Sequence, residues 1–287
     1  MGSALILEGG GMRGVFTSGV LEYFLENDIQ FPAVYGVSAG ACNAASYISM
    51  QSGRNRAVTI DYTDHPEYIS IRRLLRHGEL FNMDLIFDRI PNEEQPFHYE
   101  RFFASSTKFF IGTTDCETAE PVFYEKQEVQ DDLNTILRAS SSLPLAAPVV
   151  PFQGRYLLDG GLSEPIPFQR ALKDGSGPLV IVMTQPEGYS KQPPGRSFWY
   201  MRRRLKQFPE LVHLMETRWK LYNDAMRSVL QLEQQGRAVV IRPESSRVVS
   251  RVERNKTKLE TLYAHGFEKA AEKREEIEQL TDLISSK

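Results

Sequence analysis

Gly36-Val37-Ser38-Ala39-Gly40 stands between two stretches of different character. Before it, Phe31, Ala33, Val34 and Tyr35 form a short apolar run that reads as a buried strand. After it, Ala41, Cys42, Asn43, Ala44, Ala45, Ser46, Tyr47 and Ile48 read as a helix of small residues. A strand that turns sharply into a helix strains the backbone at the turn and favours glycines on either side, because a side chain there would clash. Ser38 then projects its hydroxyl above the sheet edge, beside the free N–H groups and the positive dipole end of the helix. Such a position suits a nucleophile. The same residues also fit a glycine-rich turn with a serine N-cap, so the motif needs partners elsewhere in the chain.

A second glycine run lies near the start. Ala4-Leu5-Ile6-Leu7 reads as the first buried strand and leads through Glu8 into Gly9-Gly10-Gly11-Met12-Arg13-Gly14. Val15, Phe16, Gly19, Val20, Tyr23 and Phe24 follow at helical spacing. Backbone N–H groups in such a loop suit a phosphate, or the oxyanion formed when an acyl carbonyl is attacked. Gly9-x-Gly11-x-x-Gly14 matches the dinucleotide fingerprint, which requires an acid about twenty residues on, at the end of the second strand. Here the second strand ends at Gly36-Val37-Ser38, and Glu26 and Asp28 precede it. No Gly-Lys-Ser/Thr of a P-loop is present. Nucleotide binding and a purely structural turn remain as alternatives.

From Gln51 to about Gln95 the pattern is helical and polar. Tyr68, Ile71, Leu74 and Leu75 mark one face, and Leu85, Ile86 and Ile90 mark another that Pro91 ends. Lys108 to Thr113 and Pro121 to Glu125 read as strands, and Asp131 to Arg138 as a helix whose following serines, Ser140 to Ser142, read as caps. Gly154 to Leu158 forms a strand that delivers Asp159-Gly160-Gly161 to a sheet edge, where open α/β sheets gather their active sites. Leu179 to Met183 reads as a central parallel strand. The loop Gly188 to Gly195 is the candidate boundary between a core of residues 1–187 and a mostly helical region of residues 188–287. Ala238 to Arg242 is one more strand there, and charged surface helices are expected from Val252 to Ile284.

Composition removes several function classes. With 34 basic and 37 acidic residues the net charge is −3, so no global attraction to nucleic acid is expected. Cys42 and Cys116 form neither a disulfide framework nor a metal cluster, and the five histidines lack zinc-ligand spacing, so no metal is expected. No secretory leader or membrane span is read, and the expectation is a cytoplasmic protein.

Ester hydrolysis by a serine needs a base, oxyanion donors and a proton for the leaving group. Only His213 and His265 follow Asp159, and both lie in helical, surface-patterned segments. Only 37 residues precede Ser38, too few for the strands that come before an α/β-hydrolase nucleophile. A carboxylate shielded from water can act as the base instead. Taken in order, Gly9 to Gly14, Gly36 to Gly40 and Asp159-Gly160-Gly161 resemble the motifs of the patatin-like phospholipase family, over roughly Ala4 to Met183. Ala139-Ser140 through Pro144 agrees with a further family segment, and the chain looks like the bacterial YjjU-like branch, with its helical C-terminal region.

The resemblance implies a three-layer α/β/α sandwich with a mostly parallel sheet, and a lipid acyl hydrolase that needs no cofactor. Ser38 is then the nucleophile and Asp159 the general base. Backbone N–H groups of Gly10, Gly11 and Met12 would be the oxyanion donors, and Arg13 would fix that loop or neighbour a substrate phosphate. Glu8 stands where many members carry Asp, without an expected effect on the chemistry. The rival readings are a nucleotide-binding protein and a catalytically silent scaffold. Phe198 to Lys206 combines aromatics with four basic residues and suits peripheral contact with an anionic bilayer. A packed helix with a basic outer face fits the same residues.

Overall fold

Four of the strands that carry the fold hold almost no polar side chains. In the computed structural model, which describes residues 2–285, eight strands form one sheet. They are β1 (Ala4–Leu7), β2 (Ala33–Val37), β3 (Lys108–Asp115), β4 (Pro121–Glu125), β5 (Val150–Phe152), β6 (Arg155–Asp159), β7 (Leu179–Val182) and β8 (Ala238–Ile241). The order is β5-β6-β3-β2-β1-β7-β8, with β4 paired to β3. The run β3-β2-β1-β7-β8 is parallel, and β4, β5 and β6 add antiparallel pairings at one side.

Every residue of β1, β2, β7 and β8 is buried, as expected for parallel strands covered on both faces. Their side chains alternate between two cores. Leu5, Leu7, Val34, Val180, Val182, Val239 and Ile241 face one layer, which contains α1 (Val15–Glu26), α2 (Ala39–Ile48), and later helices of the chain. Ala4, Ile6, Tyr35, Leu179, Ile181 and Val240 face the other. Between α2 and the C-terminal region come α3 (Arg54–Thr59), α4 (Ile71–His77), α5 (Tyr99–Ala104), α6 (Leu133–Ser141) and α7 (Phe168–Lys173). The remaining helices are α8 (Phe198–Arg204), α9 (Pro209–Gln234), α10 (Lys256–Glu272) and α11 (Arg274–Ser285). Phe168 and Ala171 of α7, with Ala225, Val229 and Leu232 of α9, cover the second face. The result is the three-layer α/β/α sandwich. Residues beyond 187 supply its last strand and a helix to each layer.

Three expectations from the sequence change. The face drawn through Tyr68, Ile71, Leu74 and Leu75 is not a single inward face. Tyr68 is buried, but Ile71 and Leu75 are 72% and 82% exposed, because α4 is short and stands off the core. Pro91 does not end its helix. Leu85–Glu94 winds as a π-helix through it, its wider turn closing on the bond from Gln95 N–H to Ile90 O at 2.8 Å. The region after Val252 is not merely a charged surface, since Leu259, Leu262, His265 and Ala270 of α10 are buried against α1. Gly266 makes that approach possible, because a Cβ there would collide with the Phe16 carbonyl.

Candidate active site

Ser38 sits at the turn from β2 to α2 with φ 54° and ψ −130°, a strained backbone for a residue with a side chain. The turn is held from three sides. Gly40 passes so close to β1 that a Cβ would lie 2.6 Å from the Leu7 carbonyl oxygen. Gly36 packs beneath the first turn of α2, against Ala41. The Ser38 N–H donates to Ser140 Oγ at 2.8 Å, and Ser140 Oγ donates to Gly112 O at 2.6 Å. Ser140 therefore does not cap α6, whose C-cap is Ser142. It ties the strained turn to β3.

The register of β3 explains how Ser38 meets Asp159. One edge of β3 is occupied by β4, from Phe110 to Thr114. The other edge pairs first with β2, ending at Val37 opposite Gly112, and then with β6, where Asp159 lies opposite Thr113. The two strands thus point their C-terminal ends at each other on a shared template. The Asp159 carboxylate lies in the same pocket as Ser38 and interacts with its side chain. It also accepts from Gly161 N–H at 2.7 Å, while its own backbone is fixed by Ser142 O and Thr114 Oγ1. Burial pushes the Asp159 carboxyl up, and the interactions with Ser38 and Gly161 and the charge of Arg218 oppose the rise. Gly160 and Gly161 open the short 3-10 turn after the aspartate.

Gly9 lies against Ser38, and Gly10 and Gly11 line the same pocket. Among the described residues, no hydrogen-bond acceptor engages the N–H of Gly10 or Gly11. Met12 differs from expectation. Its N–H donates to Arg251 O at 3.1 Å, so it is already committed, and Gly11 and Gly10 are left as the oxyanion candidates. Arg13 Nε donates to Gly10 O at 3.4 Å, so this side chain braces the loop. Gly14 O accepts from Asn43 Nδ2 at 2.8 Å, joining the loop to α2. Glu8 is buried and acts as a strut, accepting from Tyr222 OH at 2.7 Å and from Thr184 N–H at 2.6 Å.

Ser38 also lines a second, apolar pocket of about 120 Å³, walled by Met12, Tyr68, Phe81, Met83, Phe87 and Leu143. On its other side the Ser38–Asp159 pocket is bordered by Lys191, Arg218 and Arg251. None of these three cations stood out in the sequence. Each lies far along the chain from the glycine motifs, in segments whose pattern says only helix or loop. His213 and His265 line neither pocket. His265 is buried in α10 and accepts from Glu244 N–H at 3.1 Å through Nε2. No helix among the described residues is long and apolar enough to cross a membrane.

Comparison with known proteins adds to this geometry. The family described as patatin-like phospholipase matches residues 5–172, and one described as a domain of unknown function, DUF6363, matches residues 208–282. The uncharacterized protein YjjU of Escherichia coli K12 is 33% identical over 190 residues, which cover 64% of this chain. The chain spans about half of that relative's length, 52%. The crystal structure of VipD from Legionella pneumophila aligns with 98% of this chain and 66% of its own, at 12% identity and a TM-score of 0.48. The patatin-like match extends over more than half of the sequence and contains both glycine motifs, Ser38 and Asp159. The chain therefore belongs to the patatin-like phospholipase family, whose common chemistry is the hydrolysis of lipid acyl esters.

Proposed function

We propose that this protein cleaves the carboxylic ester of a lipid through an acyl-Ser38 intermediate, with Asp159 as the general base. One observation carries the reading: Ser38 and the buried Asp159 carboxylate line one pocket and interact there, at the junction with an apolar pocket and beside the uncommitted N–H groups of Gly10 and Gly11. The carboxyl, raised by burial, is a stronger base than an exposed one and needs no histidine between it and the hydroxyl. In acylation the Ser38 proton passes to Asp159 as Oγ attacks the carbonyl carbon. The carbonyl oxygen takes up the negative charge opposite the Gly10 and Gly11 N–H groups. As the tetrahedral adduct collapses, the C–O bond to the alcohol breaks and Asp159 returns the proton to the leaving oxygen. Water then repeats the sequence on the acyl-serine, releasing the carboxylic acid and free Ser38.

The apolar pocket suits the acyl chain, and its walls come from the segment between α3 and the π-helix and from Leu143 to Ala147. We further propose that α8 touches the lipid surface. Trp199 and Tyr200 are 65% and 48% exposed there and Arg203 and Arg204 face solvent, while Leu205 anchors the helix in the core and Arg202 pairs with Glu216.

Labelling by a fluorophosphonate probe, followed by release of p-nitrophenol from a short acyl ester, tests the mechanism. Wild type is expected to label and turn over, and Ser38→Ala and Asp159→Asn to do neither. Labelling that survives Ser38→Ala, or turnover that survives Asp159→Asn, overturns the assignment.

A further inference from the structure

The patatin-like match ends at residue 172, yet the pocket of Ser38 is bordered by residues from beyond it. The C-terminal match, residues 208–282, reaches the site at three points. Arg218 of α9 donates to Gly161 O from Nε and Nη2, at 3.2 and 2.7 Å. One turn on, Tyr222 donates to Glu8, at the head of the glycine loop. The Arg251 carbonyl, before α10, accepts from Met12 N–H.

The contact of Arg218 bears most directly on the chemistry. Gly161 is gripped at both ends: its carbonyl accepts from the guanidinium, and its N–H donates to Asp159 Oδ1 at 2.7 Å. Holding the backbone of Asp159 does not require Arg218, because Ser142 O and Thr114 Oγ1 already fix it. What Arg218 adds is the direction of the Gly161 donor and a positive charge in the pocket of the carboxylate. Burial and Arg251 push its guanidinium down to about 10, so it stays charged at neutral pH. The charged and titratable groups facing Asp159 are Arg218 and Tyr222 from α9, Lys191 after β7, Arg251 before α10, Glu8 after β1 and Cys42 from α2. Burial raises the Asp159 carboxyl, and among the cations Arg218 opposes that rise most, ahead of Arg251.

We infer that Arg218 is a positioning residue for the Ser38–Asp159 pair, its guanidinium aiming the Gly161 N–H at the carboxylate while its charge favours the ionised, basic form of Asp159. The inference rests on the hydrolase reading and deepens it. It gives α9 and the C-terminal match a part in the reaction, since only an ionised carboxylate can take the serine proton. Substitutions separate the two contributions. Lysine keeps the charge but not the planar fork, and glutamine keeps an N–H donor but not the charge.

The test is the pH dependence of kcat/KM for p-nitrophenyl butyrate in the full chain and in Arg218→Gln, Arg218→Met and Arg218→Lys. The acid limb of the profile reports the base of the free enzyme. Without the charge Asp159 takes its proton more readily, so in Arg218→Gln and Arg218→Met the limb should move up by about one unit or more. Arg218→Lys should leave the limb within about 0.3 unit of wild type and lower the plateau severalfold, because one ammonium does not reproduce the two-donor clamp. Arg218→Met leaves no unpaired donor of its own and serves where the glutamine variant does not fold. Lys191 titrates nearby: burial and the charges of Arg218 and Arg251 push its ammonium down to about 6, and removing Arg218 eases its protonation. The profiles are therefore repeated in Lys191→Met, where the shift should persist. Its disappearance there assigns the limb to Lys191 and overturns the proposal. A limb unmoved in both neutral variants, or moved as far in Arg218→Lys, reduces Arg218 to a structural clamp and overturns it as well. A wild type that neither labels nor turns over refutes the hydrolase reading together with this inference, whereas an active wild type whose variants keep its acid limb removes the role of Arg218 alone.

Discussion

Ser140→Ala tests whether the strained turn at Ser38 is held from β3. Ser140 is fully buried, and its hydroxyl accepts from Ser38 N–H and donates to Gly112 O. Alanine leaves the Ser38 N–H buried without an acceptor, at about 1–3 kcal/mol, and removes a second bond of about 0.5–1.5 kcal/mol. The loss should total about 2–4 kcal/mol, which for a chain of this size lowers Tm by roughly 3–7 °C. The turn also holds a positive φ of 54°, a conformation that costs about 1–3 kcal/mol and persists only while its surroundings enforce it. With the anchor gone Ser38 should drift, and, if it is the proposed nucleophile, the fluorophosphonate labelling rate should fall about 10- to 100-fold. Ser142→Ala is the matched control, because its hydroxyl bonds only Arg138 O within the helix end, and it should cost under about 1 kcal/mol. A Ser140→Ala protein that melts within about 2 °C of wild type and labels within about twofold refutes the reasoning.

Asp159→Asn should abolish turnover without destabilising the fold at neutral pH. The folded carboxyl is raised above its unfolded value, so its contribution is favourable below the unfolded pKa of about 4 and is lost as pH rises through the folded value. Urea titrations should therefore find the variant at least as stable as wild type at pH 7, with the difference closing below about pH 4; a variant clearly less stable at pH 7 contradicts this. His265 carries the opposite sign. Burial lowers its folded pKa, so its contribution is present above about pH 6.5 and lost as pH falls, and His265→Gln should flatten the acid limb of the stability profile. At α8, Trp199→Ser combined with Arg203→Glu and Arg204→Glu should reduce flotation with anionic vesicles severalfold while leaving Tm within about 2 °C; unchanged flotation removes α8 from the lipid surface.

Much of the fold was legible because local chemistry announces it. The apolar runs Ala4–Leu7 and Leu179–Val182 are strands buried on both faces, and continuous apolarity is their sequence mark. The glycine motifs mark where backbone must approach backbone, as Gly40 does at Leu7. The readings that failed lacked such a mark. Ile71 and Leu75 have helical spacing, yet spacing does not say whether a short helix reaches the core. Met12 belongs to the glycine loop, but nothing near it in the chain foretells that Arg251 would occupy its N–H. Serines after a helix usually cap it, so the bond from Ser38 to Ser140 was hidden within an ordinary pattern.

The sequence by itself determined the strand–loop–helix units, the sharp turn at Ser38 and the aspartate at a strand end, because each depends on residues within a few positions of one another. Only the tertiary structure decided that Ser38 and Asp159 meet. That contact depends on β3 lending one edge first to β2 and then to β6, a register set by pairing between segments that are distant in the chain, Val37 with Gly112 and Thr113 with Asp159. The same holds for the cationic border of the site. Lys191, Arg218 and Arg251 come together because β7, α9 and the segment before α10 pack around one sheet end, and charge carries no periodicity by which a sequence could disclose it.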